Sequence, residues 1–477
     1  MIEAFGFFVV FIISVLIIKL FSKSLPLNLD VTMKNRLIFI VILAIVLKLV
    51  IVGVWYLNVG HSFYMYSDLS TRDSGFYDWS GQYLANYFRQ GILFRQEFLN
   101  LYGDSLGFPY YVGLIYAFFG HHQIMVSIFN TLASVVLALL MFHIALTLFN
   151  NRKIAFWTLI FNLFYSHYVS QSYYLLKDMF LVFLIVIFCW LFMKIGKNRI
   201  NLLNYFGLFV VTIGIYFIRS LTVLILIGLG GLHLILGLGL KERKVLKSIL
   251  VLLICLTAII GLGRLSPRGR TTFEKIEYFS TEEYRGEEST PAYLRGTRGT
   301  KEIISSIGSS PLNAFKDLIR SVILIYWGPT YFYQRSGANL FYAYGRFVFW
   351  ENLGGLMRIF LMPMVIFGFF YCLRKKKSES FLFYSFVVIW TVVMMLTGNA
   401  ERWALSLMPF VLMFGAVGVV NFNKIKPFYI PYLLLFNLLI AANITLHESL
   451  IVAKPLFILT SLGLLWGICR YRQALRK

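Results

Sequence analysis

Residues 170–192 have the sequence SQSYYLLKDMFLVFLIVIFCWLF, in which Lys177 and Asp178 stand directly before a long apolar run. A run of about 20 apolar residues is long enough to cross the hydrocarbon core of a bilayer as a helix. A charged residue costs roughly 2.5–3.5 kcal/mol at the centre of such a helix and much less at its end. The two charges therefore predict the end of a membrane helix, where it meets water.

Apolar runs of this kind recur along the whole chain of 477 residues. Hydrophobic residues make up 59% of the sequence and charged residues only 14%, whereas soluble chains carry about 25% charged residues. We therefore predict an all-α polytopic membrane protein with about 13 transmembrane helices. The predicted spans lie near 4–22, 37–57, 124–149, 154–172, 179–194, 203–218, 221–240, 247–263, 353–373, 381–397, 402–421, 428–446 and 451–469.

Basic residues are distributed unequally between the short connections. If the turn after the first span is cytoplasmic, the connections on that side hold just over half of the 44 Lys and Arg. Cytoplasmic loops carry such an excess, so we predict a multi-pass membrane protein with its N-terminus outside and its C-terminus in the cytoplasm. The same distribution accounts for the net charge of +23, and we predict the lipid bilayer as a partner and no nucleic acid.

The predicted spans divide the sequence into four regions. Two long segments between spans fall on the extracytoplasmic side, and the first of them, residues 58–123, lies inside the second region. The regions are 1–36, an extra N-terminal transmembrane helix with a basic cytoplasmic turn; 37–263, a transmembrane core; 264–352, an Arg-rich extracytoplasmic loop with a juxtamembrane helix; and 353–477, the C-terminal transmembrane helices.

The two extracytoplasmic loops are predicted to contain interfacial helices. In the first loop, DSGFYDWSGQYLANYF (73–88) is typical of a short helix, with Asp73 near its N-terminus, where a carboxylate is favoured. The segments FPYYVGLIYAFFG (108–120) and SVILIYWGPTYFY (321–333) are apolar but too short to span a bilayer. We expect both of these to lie at the outer membrane surface.

Three distant parts of the chain place charged side chains at this predicted outer face. Paired carboxylates there can hold a divalent cation, or one of them can act as a general base toward a hydroxyl. An Arg at the same level suits a phosphate, which it can bind through two hydrogen bonds. The residues concerned are Asp68, Asp73, Asp78, Lys177, Asp178, Glu401 and Arg402.

Each of these residues also has a purely structural explanation. Asp178 is a favourable carboxylate at a helix N-terminus, Arg402 could anchor a helix at the interface, and the loop aspartates could be solvated. Their convergence from separate segments nevertheless favours a site for a substrate with a lipid tail and a phosphorylated head. The second loop adds further arginines, including Arg320 and Arg335.

At these residues the chain resembles the GT-C glycosyltransferases, a multi-pass family that uses sugars carried on polyprenyl or dolichyl phosphate. It most resembles the bacterial branch related to protein mannosyltransferases and the aminoarabinose transferase of lipid A. The family pattern of an Asp, a Tyr four residues later and a small residue is matched by DSGFYDWSGQYLA, with Asp73, Tyr77 and Gly81. Asp78 competes with Asp73 for the same role.

The resemblance continues over roughly residues 37–421. A proline-led apolar helix is matched by FPYYVGLIYAFFG, a second Asp by YYLLKDMF with Asp178, and an Arg before a proline-containing helix by ERWALSLMPF, with Arg402 and Pro409. The chain departs from the family in its extra N-terminal span, in having several first-loop aspartates, and in Lys177 beside the second Asp.

The resemblance implies transfer of a sugar from a polyprenyl-phosphate donor to an acceptor hydroxyl, with inversion, at an extracytoplasmic active site of the plasma (inner) membrane. The acceptor would be a glycan, lipid or protein, in cell-surface glycan or glycolipid assembly. Asp73 or Asp78 would act as general base or metal ligand, with Asp178 as its partner. A divalent cation (Mg²⁺ or Mn²⁺) would be held by Asp73 and Asp178. The leaving phosphate would be bound by Arg402, with help from Lys177, Arg320 and Arg335.

Two other functions compete with this interpretation. An outer-leaflet polysaccharide polymerase would also use a long Arg-bearing outer loop and polyprenyl-linked substrates. A lipid-linked sugar flippase or another transporter would place ionisable groups near the bilayer midplane, often on broken helices. In this sequence only Lys48 and His233 approach the middle of a predicted span.

Overall fold

The computed structural model is almost entirely helical over the residues that it describes. One short antiparallel pair, β1 (Tyr342–Ala343) and β2 (Arg346–Phe347), is the exception among them. The all-α class is therefore confirmed. The described residues are 2–25, 30–59, 69–95, 97–98, 106–173, 175–197, 202–237, 342–343, 346–347, 349–374, 381–397, 404–427, 429 and 431.

The α-helices of these residues follow the predicted apolar runs. In chain order they are α1 (Ile2–Ser24), α2 (Val31–Val59), α3 (Leu69–Arg89), α4 (Gly107–Phe119), α5 (Gln123–Phe149), α6 (Arg152–Phe164), α7 (Ser166–Tyr173), α8 (Lys177–Lys197), α9 (Leu202–Ile218), α10 (Ser220–Gly237), α11 (Phe349–Arg374), α12 (Phe381–Thr397) and α13 (Met408–Val420). A 3₁₀ turn, Leu405–Leu407, leads into α13.

Four segments of these helices are long and apolar enough to cross a membrane: Val31–Leu57, Gln123–Phe149, Lys177–Ile195 and Leu353–Arg374. Together with the shorter apolar helices, they confirm the coarse prediction of a helical membrane protein. The count of 13 spans stays a prediction, because 247–263, 451–469 and most of 428–446 lie outside the described residues. The choice of membrane and the orientation also stay predictions.

One predicted span differs in the structure. Residues 154–172 form two helices, α6 and α7, separated at Tyr165, whose backbone is extended with φ −67° and ψ 106°. The sequence of α7, SHYVSQSY, is polar, yet every one of its residues is buried. A break in a membrane-level helix is tolerated where the freed backbone groups are enclosed by protein, and α7 packs against α2, α5 and α11.

Contacts between α2 and α5 show that these helices run in opposite directions. Near one end, the ring of Trp55 stacks on Tyr173 at 4.3 Å between centroids, and Ser127 Oγ donates to the carbonyl oxygen of Tyr173 at 3.3 Å. Farther along both helices, Lys48 Nζ donates to Ser134 Oγ at 2.7 Å. Lys48 is 3% exposed, so its ammonium lies inside the helix bundle.

The first-loop helices α3 and α4 cross closely because glycines stand at their contact. A Cβ on Gly81 would overlap the side chain of Val112, and a Cβ on Gly113 would lie 2.8 Å from Leu84 Cβ. Arg89 Nη2 donates to the carbonyl oxygen of Tyr116 at 2.6 Å, near the end of α4. We call α3 and α4 together the first-loop hairpin. Both predicted helices are thus confirmed, whereas the predicted helix at 321–333 lies outside the described residues.

Candidate active site

Asp78 lies in α3, where this helix meets the end of α4. Its Oδ1 accepts a hydrogen bond from Tyr116 Oη at 2.6 Å and lies 3.0 Å from His121 Nε2. The side chain of Asp78 is 19% exposed and that of His121 is 41% exposed, whereas Tyr116 is fully buried. The carboxylate is therefore held between a buried hydroxyl and an exposed imidazole.

A tight turn after α4 places His121 next to α3. Gly120 has φ 81°, in the left-handed region that favours glycine, and its N–H donates to the carbonyl oxygen of Tyr116 at 3.0 Å. His122 N–H then donates to the carbonyl oxygen of Gly120 at 2.9 Å. The His121 ring meets the Tyr116 ring edge-on, with centroids 4.9 Å apart. Backbone and ring contacts thus fix the imidazole.

Asp178 lies in the first turn of α8, as the sequence predicts, and is 2% exposed. Its Oδ1 is 3.1 Å from Arg219 Nη2, and the Arg219 side chain is only 13% exposed. Arg219 occupies the junction between α9 and α10. Arg219 stands between the spans predicted at 203–218 and 221–240, but hydropathy does not identify it as the partner of Asp178.

The first-loop hairpin packs against the end of α9, next to the residue that pairs with Asp178. A Cβ on Gly107, the first residue of α4, would lie 3.0 Å from both Ile218 and Phe217, the two residues before Arg219. Gly107 therefore allows α4 to approach the α9–α10 junction closely. The hairpin that carries Asp78 and the helix ends that carry Asp178 form one packed unit.

Aromatic side chains connect the hairpin to α8. The Tyr77 ring meets the Phe108 ring edge-on at 4.9 Å, and Tyr111 stacks on Phe180 at 4.2 Å with 15° between the ring planes. Burial raises the pKa of the Tyr111 hydroxyl, which stays protonated and donates to Asn130 Oδ1 at 3.3 Å. This aromatic layer lies between the Asp78 region and the start of α8.

A third segment reaches α8 from the other end of the chain. The 3₁₀ turn Leu405–Leu407 packs against α8, and Pro409 stands at the start of α13, where a missing N–H is tolerated. Arg402, shortly before this turn, lies outside the described residues, as do Arg320 and Arg335. The roles predicted for these three arginines stay predictions.

The remaining predicted residues are described in part. Lys177 begins α8 and is half-buried. Asp73 belongs to α3, but its side chain lies outside the description, as does the whole of Asp68. Among the three first-loop aspartates, Asp78 is the one whose side-chain partners the structure describes.

A metal ion at Asp178 would lie beside the Arg219 guanidinium. Among the described residues, no group of three or more His, Cys, Asp or Glu side chains is arranged to hold a metal. The Asp178 carboxylate is balanced by the Arg219 guanidinium, whose charge would repel a divalent cation. The shared Asp73–Asp178 metal site stays a prediction.

An apolar cavity of about 320 Å³ lies between α11, α12 and α13. Its walls include Met362 and Phe369 from α11, Val387 from α12 and Phe414 from α13. Arg358, which is 3% exposed, lies one helical turn before Met362 on the same side of α11. The buried Arg358 and the nearest wall residue of the apolar cavity therefore lie one turn apart on α11.

Comparison of the chain with protein-family models finds no match, and comparison with curated proteins finds none either. The resemblance to GT-C glycosyltransferases therefore depends on the residue pattern quoted from the sequence. Inferences about function depend on that pattern together with the contacts of Asp78, Asp178 and Arg219.

Proposed function

We propose that this protein is a membrane glycosyltransferase that moves a sugar from a polyprenyl-phosphate carrier to an acceptor hydroxyl on the extracytoplasmic side. The observation that carries this proposal is the packing of the first-loop hairpin on the helix ends that hold Asp178 and Arg219. Transfer between a lipid carrier and an acceptor needs acid–base groups and cationic groups at one membrane level. The first-loop hairpin supplies the acid–base groups, and the membrane helices supply the cationic groups.

In this proposal the acceptor oxygen attacks the anomeric carbon from the side opposite the carrier phosphate. A general base on the first-loop hairpin takes the hydroxyl proton, and the phosphate leaves with the electron pair of the broken C–O bond. Arg402 binds the leaving phosphate, with Lys177, Arg320 and Arg335 as further candidates. Preorganised donors of this kind typically contribute about 2.7–4 kcal/mol each to lowering the barrier.

The cavity between α11, α12 and α13 supports a lipid-linked substrate. It is lined almost entirely by apolar side chains, as a hydrocarbon chain requires. Arg358 lies one turn of α11 before Met362 in the cavity wall, and a guanidinium is the kind of cation that binds phosphate. Cavity and cation together suit the isoprenoid tail and the phosphate of a carrier.

Two observations favour a lipid-linked sugar flippase as a second candidate. Transporters often bind substrates at broken helices near the membrane midplane. The helix is broken between α6 and α7, and Lys48 is an ionisable residue buried within a predicted span. The polymerase alternative also stays open, and it would differ from the transferase in forming a repeating polysaccharide product.

The test uses cells that lack the protein, complemented with the wild type, with Asp78→Asn or with the control Asp30→Asn. Asp30 is exposed and stands before α2, far along the chain from the candidate site. We expect Asp78→Asn to accumulate lipid-linked sugars by mass spectrometry at a normal level of folded protein. Asp30→Asn should behave as wild type. Normal lipid-linked sugars with Asp78→Asn would contradict the proposed site.

The same cells separate the transferase from the flippase. If transfer fails, the accumulated lipid-linked sugar has already crossed the membrane, and external periodate will oxidise it in intact cells. If transport fails, the sugar stays on the cytoplasmic side and is protected until the cells are lysed. Protection in intact cells would therefore overturn the transferase proposal.

A further inference from the structure

We propose that His121 is the general base of the transfer reaction and that Asp78 and Tyr116 position it. This inference rests on the proposed function and deepens it. The sequence pattern assigns the base to a first-loop aspartate, either Asp73 or Asp78. The contacts of Asp78 favour the neighbouring histidine instead.

The hydrogen bonds determine which nitrogen of His121 is available. A carboxylate only accepts hydrogen bonds, so the nitrogen that contacts Asp78 Oδ1 at 3.0 Å, Nε2, carries the hydrogen. In a neutral imidazole the other nitrogen then holds a lone pair. Nδ1 is therefore the atom that can accept a proton. The Asp78 carboxylate stabilises the imidazolium that forms, in the way a carboxylate supports a catalytic histidine.

The three residues are ordered from the protein interior to its surface. Tyr116 is fully buried, the Asp78 side chain is 19% exposed, and the His121 side chain is 41% exposed. A substrate hydroxyl therefore meets the imidazole before the carboxylate. The same Asp78 oxygen is also covered by the Tyr116 hydroxyl at 2.6 Å, which makes Asp78 a better positioning residue than proton acceptor.

The surroundings of His121 hold the ring in one place, as a base requires. Gly120 closes α4, His122 N–H bonds back to Gly120, and Met125 N–H donates to the carbonyl oxygen of His122 at 3.0 Å as α5 begins. The imidazole is thus fixed by a turn between two helices and by contacts with Asp78 and Tyr116.

The proposed step is balanced within the donor and the acceptor. His121 Nδ1 takes the proton of the acceptor hydroxyl while the acceptor oxygen forms its bond to the anomeric carbon. The bond between that carbon and the carrier phosphate oxygen breaks, and the phosphate keeps the electron pair. The proton then passes from His121 to water, and the imidazole returns to its neutral form.

The first experiment compares His121→Asn with His122→Asn, a matched control at the next residue. The full-length protein is placed in lipid nanodiscs with the radiolabelled lipid-linked sugar fraction from cells that lack it, and membranes of those cells supply the acceptor. We expect His121→Asn to lower kcat by about 10²–10⁴-fold, the usual contribution of a general base. KM for the donor and the unfolding temperature should not change. The control should keep the wild-type kcat.

The second experiment adds free imidazole to His121→Gly. If His121 accepts the proton, added imidazole should restore a measurable part of the lost rate, and it should not restore the rate of Asp178→Asn. A purely structural bond to Asp78 predicts a lower unfolding temperature instead, with no rescue of the rate. Tyr116→Phe should lower kcat less than His121→Asn, because it leaves the base in place.

The outcomes distinguish this inference from the proposed function. Wild-type kcat in His121→Asn, or an inactive His121→Gly that imidazole does not rescue, would overturn the role of His121. Either result leaves the transferase proposal intact if the wild type transfers sugar and the double variant Asp178→Asn with Arg219→Met, which leaves no unpaired charge buried, does not. A wild-type protein that transfers no sugar would overturn both.

Discussion

Asp178 and Arg219 form a buried ion pair although 41 positions separate them in the sequence. Their places at helix ends were predictable, because both stand beside apolar runs. Their pairing was not, because hydropathy indicates where a residue lies across a membrane and not which helix ends are neighbours. The same holds for Asp78 and His121, whose contact depends on the angle at which α3 crosses α4.

The pair gives a prediction about stability. Asp178→Asn leaves the Arg219 guanidinium buried without its counter-charge, and loss of one partner from a buried pair costs about 3–5 kcal/mol. We expect a clear drop in the detergent unfolding temperature for Asp178→Asn and also for Arg219→Met.

The double variant Asp178→Asn with Arg219→Met removes both charges and provides the control. It should recover most of the unfolding temperature, because no uncompensated charge remains buried, while sugar transfer stays lost. If the fall in unfolding temperature of the double variant equals the sum of the falls in the two single variants, the two residues do not act as a pair.

At the scale of elements, the first-loop hairpin was predicted more fully than the spans. Its two helices follow from their residue patterns, and Gly81 belongs to the motif quoted from the sequence. The break at Tyr165 was not predicted, because the average hydropathy of 154–172 hides the polar stretch that forms α7. A polar helix that is buried on all sides cannot be recognised from its own residues.

The glycines of α3 allow the same substitution to be tested at two positions. Gly81→Ala places a methyl group against Val112, whereas no atom of the described residues lies within 4 Å of a Cβ on Gly75. Ala is favoured over Gly in a helix interior by about 0.8–1.0 kcal/mol, so Gly75→Ala should raise the unfolding temperature. Gly81→Ala should lower it and reduce transfer.

Equal unfolding temperatures for these two alanine variants would contradict the close crossing of α3 and α4. Gly113→Ala gives an independent check from the other helix, because its added methyl group would meet Leu84. It should resemble Gly81→Ala in both stability and transfer.

At the scale of the whole molecule, the Asp178–Arg219 pair lies where helices begin and end, whereas Lys48 lies deep in α2. Lys48 donates to one neutral hydroxyl, Ser134 Oγ. A buried ionisable residue in a membrane helix usually has a function, and here it separates the two candidate activities. A transferase that acts at one face does not need Lys48, whereas a flippase needs a polar path through the bundle.

We therefore expect Lys48→Met to keep full sugar transfer with an equal or higher unfolding temperature, since burying a charge costs free energy that an apolar side chain does not. Lys34→Met, near the start of the same helix, is the control. Complete loss of glycan assembly in folded Lys48→Met would favour the flippase.

The close contact of α3 with α4 at Gly81 and Gly113, together with the hydrogen bond from Arg89 to Tyr116, affects how a substrate could enter. Two helices that fit this closely cannot part from each other without exposing their shared contact, so α3 and α4 must shift together if they shift at all. Any such shift would displace the His121 turn and the α9–α10 junction in concert. Admission of a new acceptor and loosening of the ion pair would then be one motion.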